Sequence, residues 1–183
     1  MIVLIILIVV VVVLALVTMV LYNGLVGLRN KVEAAWAQID VQLTRRSELI
    51  PNLVETVKGY AAHEKETLDA VIRARNAAQA ATTPGEAAAA DNVLTGALKS
   101  VFALSEAYPD LKANTNFLSL QETLTGTEDK IAYARQFYND TVNRYNTKIQ
   151  SVPSSILAGA FHFTEREYFE ADGSARGPVN VQF

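Results

Sequence analysis

The sequence predicts an all-α protein. An N-terminal transmembrane helix continues into an elongated, antiparallel, up-and-down helical bundle, and a short irregular C-terminal tail follows. Three observations predict this. Residues 2–21 are almost purely apolar. Beyond them, apolar residues recur at steps of three and four, the spacing of one helix face. No stretch alternates at the two-residue period of a half-buried strand, and only 160–163 has any strand character. The expected boundaries are an anchor over 1–22, a bundle over 23–160 and an aromatic, partly flexible tail over 161–183.

Ile2 to Leu21 reads IVLIILIVVVVVLALVTMVL, in which Thr18 is the one polar side chain and no residue is charged. At 1.5 Å rise per residue, such a run covers about 30 Å, the thickness of the hydrocarbon core. Lipid offers no water to the backbone, so the run must be helical. Tyr22 follows where an aromatic ring prefers headgroup level. A cleaved signal peptide is the rival reading. It would carry a basic n-region and an A-x-A-like site, and neither is seen here. Arg29 and Lys31 lie just past the span at the membrane interface. The positive-inside rule then places the bundle in the cytoplasm and the N-terminus outside. Glu33 and Asp40 among the basic residues weaken that bias.

After Gly24 and Gly27 the seam begins with Leu25, Leu28, Val32, Trp36, Ile39 and Leu43. It resumes at Ile50, Leu53, Val57, Ala61, Leu68 and Val71, in phase across Pro51. Residues 25–81 therefore read as one long helix kinked at Pro51, about 85 Å if fully helical. A break at Pro51 is the alternative, because the residue before proline is biased away from helix.

Thr83-Pro84-Gly85-Glu86 is a helix start: an N-cap, a proline at the first helical position and the glutamate of a capping box. One helix ends near Ala81, and the next runs antiparallel from Pro84 to about Ala107. Tyr108-Pro109-Asp110 stops it. A third helix begins near 114–116 on the seam Phe117, Leu120, Leu124, Ile131, Ala134, Tyr138, Val142, Tyr145, Ile149, and Pro153 ends it. Ser154 to Ala160 can form a short further helix. Phe161, Phe163, Tyr168 and Phe169 make the tail aromatic, and the Gly-, Ser- and Pro-bearing stretch Ala171 to Asn180 is expected to be mobile.

Tyr22 to Glu55 reads YNGLVGLRNKVEAAWAQIDVQLTRRSELIPNLVE. VKGYAAHE at Val57–Glu64, TGTEDKIAYARQFYNDTVNRYN at Thr125–Asn146 and the segment Phe161–Phe169 accompany it. Together these resemble the LemA family of bacterial single-pass membrane proteins. The Arg45-Arg46 to Pro51-Asn52-Leu53 block is the most specific part. Asp129-Lys130 departs from the Asn-Arg that the family pattern leads one to expect. The resemblance implies an N-terminal transmembrane helix and a four-helix bundle. It implies no enzyme activity.

Composition narrows the function further. A net charge of −3 and a pI near 5.4 lack the basic stripe of a nucleic-acid binder. The absence of cysteine excludes disulfides, thiol catalysis and thiolate-ligated zinc. His63-Glu64-Lys65-Glu66 resembles half a zinc motif, but H-E-x-x-H needs a histidine where Thr67 stands. No phosphate cradle of the G-x-x-x-x-G-K-[ST] type and no G-x-S-x-G elbow occurs. Catalytic, cofactor-binding and metal-ligating residues are therefore assigned nowhere.

Charges on the seam remain. Arg46, Glu64 and Glu128 occupy positions where apolar residues would continue the stripes. They either sit at the edge and snorkel to water, or pair between helices or subunits and set register. The expected pair joins Arg46 or Arg45 to Glu128 or Asp129. Trp36 packs in the core or against a neighbouring subunit or membrane. Gly24 and Gly27 form a hinge or a close-packing notch, with the hinge preferred. The residues expected to serve packing and self-association are Trp36, Ile39, Leu43, Arg45, Arg46, Ile50, Pro51, Leu53, Val57, Glu128, Ile131, Tyr138 and Tyr145.

The expected function is that of a non-enzymatic, membrane-anchored scaffold that self-associates into a homo-oligomer and organises or shapes the bacterial membrane. Its partners would be the lipid bilayer and itself, without nucleic acid or cofactor. The alternative is a membrane-tethered adaptor that presents its bundle to another membrane protein, a protease or a signalling protein.

Overall fold

A computed structural model describes residues 1–170, which form six helices and, among the described residues, no strand. They are α1 (Ile2–Lys58), α2 (Lys65–Ala80), α3 (Pro84–Ser105), α4 (Pro109–Lys112), α5 (Thr115–Gln150) and α6 (Ser154–Ala160). Residues 160–163, where strand character was considered, end α6 and turn. The stretch Ala171–Asn180, expected to be mobile, lies outside the described residues.

The single helix expected over 25–81 is two. α1 passes through Pro51 and stops at Lys58, and α2 starts only at Lys65. Proline removes one helical hydrogen bond. Ile50, Leu53, Val54 and Val57 on either side of it are all buried, so packing holds the helix together there. The break comes instead at Gly59, where helix propensity falls by about 1 kcal/mol. The Tyr60 and Ala61 amides both donate to Val57 O, at 3.0 and 2.8 Å. Side chains from later in the chain fasten this turn. Tyr108 OH donates to Glu64 at 2.8 Å, and Asn114 Nδ2 donates to Tyr60 OH at 2.9 Å.

α3 begins at Pro84, as its sequence predicts. The Glu86 amide donates to Thr83 Oγ1 at 3.2 Å and the Thr83 amide donates back to Glu86 Oε2 at 3.2 Å. Hydrogen bonds from the Thr82 amide and hydroxyl, then the Thr83 amide, hold the Glu86 carboxyl below the usual carboxylate range.

The chain divides into two compact units, one of 1–36 with 137–167 and one of 37–136 with the segment from Tyr168. The second unit is a four-helix bundle made of residues 37–58 of α1, α2, α3 and residues 115–136 of α5. Its core joins Ile50, Leu53 and Val57 of α1 to Leu68 and Val71 of α2, Leu94, Leu98 and Val101 of α3, and Phe117 and Leu124 of α5. α4 adds Leu111.

The first unit contains the apolar start of α1, the end of α5, and α6. Leu25, Val32 and Ala35 are buried here, with Tyr138, Val142, Tyr145, Ile149 and Ala158. An 18-residue window of α1 has mean hydropathy 3.6 and no burial. A helix apolar on every side and uncovered by protein suits hydrocarbon surroundings. α1 runs unbroken through Gly24 and Gly27, where the hinge was expected, and a Cβ at either would meet nothing within 4 Å.

α6 ends in a left-handed cap. His162 has φ 55°, its amide donates to Gly159 O at 3.4 Å, and the Phe163 amide donates to Ala158 O at 2.9 Å. This is the Schellman pattern, which normally recruits glycine. A β-branched residue pays most in this conformation. His162→Val is expected to lower stability by less than about 1–2 kcal/mol, because histidine already carries part of the left-handed penalty, whereas His162→Gly is expected not to lower it. Thermal unfolding in detergent, followed by circular dichroism, checks both.

Candidate functional site

The four-helix unit is built around a buried cation. Arg46 on α1 is 3% exposed. Its Nη1 lies 2.6 Å from Asp91 Oδ1 of α3 and 2.7 Å from Glu128 Oε2 of α5. Its Nη2 donates to Thr95 Oγ1 at 2.9 Å, and the Thr95 hydroxyl donates on to Glu128 at 3.3 Å. One guanidinium thus ties three helices, a geometry its planar fork of donors suits. Burial pushes the Asp91 carboxyl above its ordinary range. Arg46 opposes that shift and the Glu128 charge adds to it.

Arg46 therefore does not snorkel, and its pairing with Glu128 is within one chain. Arg45 and Asp129, the other members of the expected pairing, are exposed. Asp91 was not singled out from the sequence. Its signal was present: it falls in phase with the buried stripe Ala87, Ala88, Leu94, Leu98 and Val101. Glu64, the remaining seam charge, accepts the Tyr108 hydroxyl.

Of the other residues expected to serve packing or self-association, Ile39, Ile50, Leu53, Val57, Ile131, Tyr138 and Tyr145 are buried. Leu43 and Trp36 are half-buried, and Pro51 is exposed. Trp36 packs on Tyr138 with ring centroids 5.7 Å apart.

An apolar groove of about 720 Å³ lies open between α1 and α5 in the four-helix unit. Ala37, Gln38, Val41 and Gln42 line one side, with Gly126, Asp129, Lys130, Tyr133 and Ala134 on the other. Val41 is 61% and Tyr133 76% exposed, high for large apolar side chains. Neither was named from the sequence, because each lies off the buried seam and looks like an incidental surface residue. A smaller cavity of about 290 Å³ opens beside Arg46, lined also by Thr95, Phe102 and Glu128. Among the described residues, no group of three or more His, Cys, Asp or Glu is placed to hold a metal ion.

In the other unit, Tyr22 at the end of the apolar run packs on two aromatic rings beyond α6. Its centroid lies 4.9 Å from that of Phe161 and 5.8 Å from that of Phe163. The Arg29 guanidinium sits 5.5 Å from the Phe163 centroid, a cation–π contact. Lys31 is exposed. Arg166 bonds Glu33 at 2.9 Å.

These features define a membrane-associated helical protein whose N-terminal apolar stretch is a candidate membrane span. The sequence profile of the LemA family matches residues 35–183, and the chain belongs to that family. It is similar to Protein LemA of Metamycoplasma hominis, 26% identical over 87% of this chain and 73% of that protein. It is also similar to magnetosome protein MamQ of Magnetospirillum gryphiswaldense, 25% identical over 86% of this chain and 68% of that protein. Magnetosome protein MamQ 2 of Paramagnetospirillum magneticum is 24% identical over the same shares. None of these names is that of an enzyme.

Proposed function

We propose that this protein is a non-enzymatic, membrane-anchored scaffold that self-associates into a homo-oligomer and organises or shapes the membrane. Arg29 and Lys31 just past the apolar run support a cytoplasmic bundle by the positive-inside rule. The observation that carries the reading is the uncovered α1–α5 groove with Val41 and Tyr133 exposed across it. A second copy suits it as occupant. Asp129 and Lys130, adjacent on the rim, let two copies related by a twofold axis pair opposite charges. Anchoring in one bilayer also confines copies to a plane and raises their effective concentration. The MamQ relatives are named as magnetosome proteins and not for a reaction.

Native mass spectrometry of the full chain in nanodiscs tests this. The expected result is a discrete homo-oligomer. Val41→Asp with Tyr133→Asp should reduce it to monomers while helicity is kept, since both side chains are exposed. A monomer for the unaltered chain would overturn the scaffold. It would favour the adaptor, whose bundle offers the same groove to another membrane protein, and proximity labelling would identify that protein.

A further inference from the structure

Beyond the N-terminal apolar run, the longest stretch without charge lies at the α5–α6 end of the first unit. No Asp, Glu, Lys or Arg occurs from Ile149 to Thr164, in a protein that is 19% charged. Apolar side chains there are left open: Val152 is 80%, Ile156 69% and Phe161 52% exposed. Pro153, Gly159 and Ala160 are exposed beside them. Water-facing helix ends normally carry charge, so this is a patch waiting for an apolar surface.

Its position says which surface. Phe161 packs on Tyr22, and Tyr22 immediately follows the apolar run that ends at Leu21. If that run spans the bilayer, Tyr22 lies at headgroup level, and the ring stacked on it lies there too. Phe163 is held on the same tyrosine and under the Arg29 guanidinium, a cation suited to phosphate depth. The left-handed turn at His162 makes this return possible.

We propose that the α5–α6 turn is a second membrane contact, with Val152, Ile156 and Phe161 dipping into the boundary between lipid headgroups and acyl chains. The occupant is the bilayer itself, continuous with the anchor, as for an interfacial apolar face. The proposal rests on residues 2–21 being the membrane anchor. It gives the chain two points of attachment, one spanning and one lying on the surface, so that α1 and α5 are both referenced to the membrane plane.

The absence of native cysteine permits a direct test with the full chain in liposomes. Ile156→Cys carries a polarity-sensitive dye. Val93→Cys, on an exposed site of α3, is the water control, and Val11→Cys is the span control. The expected result is that the dye at 156 shifts to the blue and is quenched by lipids brominated near the headgroup. Its quenching by aqueous iodide should fall at least about twofold below that at 93, as a depth of several ångströms implies. If 11 lies in lipid while 156 behaves like 93, the second contact is overturned and the anchor stands. If 11 itself is in water, the anchor fails and the second contact with it. Protection of 156 from iodide without quenching by brominated lipid would overturn the lipid assignment in favour of a neighbouring subunit.

Discussion

Arg46→Met is expected to cost about 3–5 kcal/mol of stability, the loss seen when one partner of a buried ion pair is removed. Methionine keeps much of the apolar stem, so the loss is chiefly electrostatic. It leaves Asp91 buried, with Glu128 close by and no cation between them. Asp91→Asn should cost far less, under about 1 kcal/mol, because Arg46 still faces Glu128 and ionised Asp91 is already disfavoured by burial. Glu128 is partly exposed, so solvent screening makes its own removal milder than that of Arg46.

The pH dependence has a definite sign. Asp91 titrates above its ordinary value in the folded protein. Its contribution is therefore fully present in acid and is lost as pH rises through the folded value. Without Arg46 the upward shift grows. The deficit of Arg46→Met should accordingly be small in acid and large at neutral pH. Denaturant unfolding in detergent, followed by circular dichroism at both, measures it. An equal deficit at both would mean that packing, not charge, is lost. Asp91 also limits a charge swap. Arg46→Glu with Glu128→Arg restores one pair but sets a new carboxylate beside Asp91, so the double variant should recover only part of the stability.

Asn146→Ala is expected to release the segment 164–167 from α5. Asn146 Nδ2 donates to Arg166 O and its Oδ1 accepts from the Arg166 amide, both at 2.9 Å. Alanine leaves a backbone donor and an acceptor without these partners, a loss of about 2–3 kcal/mol in all. Tyr138 OH to Glu167 O at 2.8 Å and Tyr145 OH to Thr164 O at 3.0 Å are the flanking ties. Burial, with the Glu167 charge adding, pushes the Tyr138 hydroxyl up to about 12, so it stays a donor at any ordinary pH. Tyr138→Phe and Tyr145→Phe should each cost about 1 kcal/mol, one bond apiece. Hydrogen exchange provides the measurement. Faster exchange at the Arg166 amide, with 37–136 unchanged, is the expected result. Equal exchange at Arg166 in both proteins would show that Asn146 does not hold the segment.

Local chemistry alone was enough for several features. The apolar run, the capping box at Thr83–Glu86 and the three-and-four spacing of the seams depend on near neighbours in sequence, and each appears where its residues predict. The likeness to the LemA family was likewise readable from contiguous blocks. The helix expected to pass through Pro51 does so, because the proline's local cost is outweighed by burial on both sides; what the seam did not disclose is the break after Lys58. Gly59 ends the helix, and the turn after it is fastened by Tyr108 and Asn114, roughly fifty residues away along the chain.

Distance in sequence also explains the candidate sites. Arg46 and Glu128 stood out as charges on apolar seams. That Asp91 completes their triad depends on α3 packing beside α1 and α5, a register that no single seam encodes. Val41 and Tyr133 become a groove only when α1 and α5 are set side by side. Phe161 and Phe163 read as a tail until the turn at His162 carries them back onto Tyr22. Helix type and helix starts follow from interactions within a few residues, whereas partners across helices follow from packing among segments far apart in the chain.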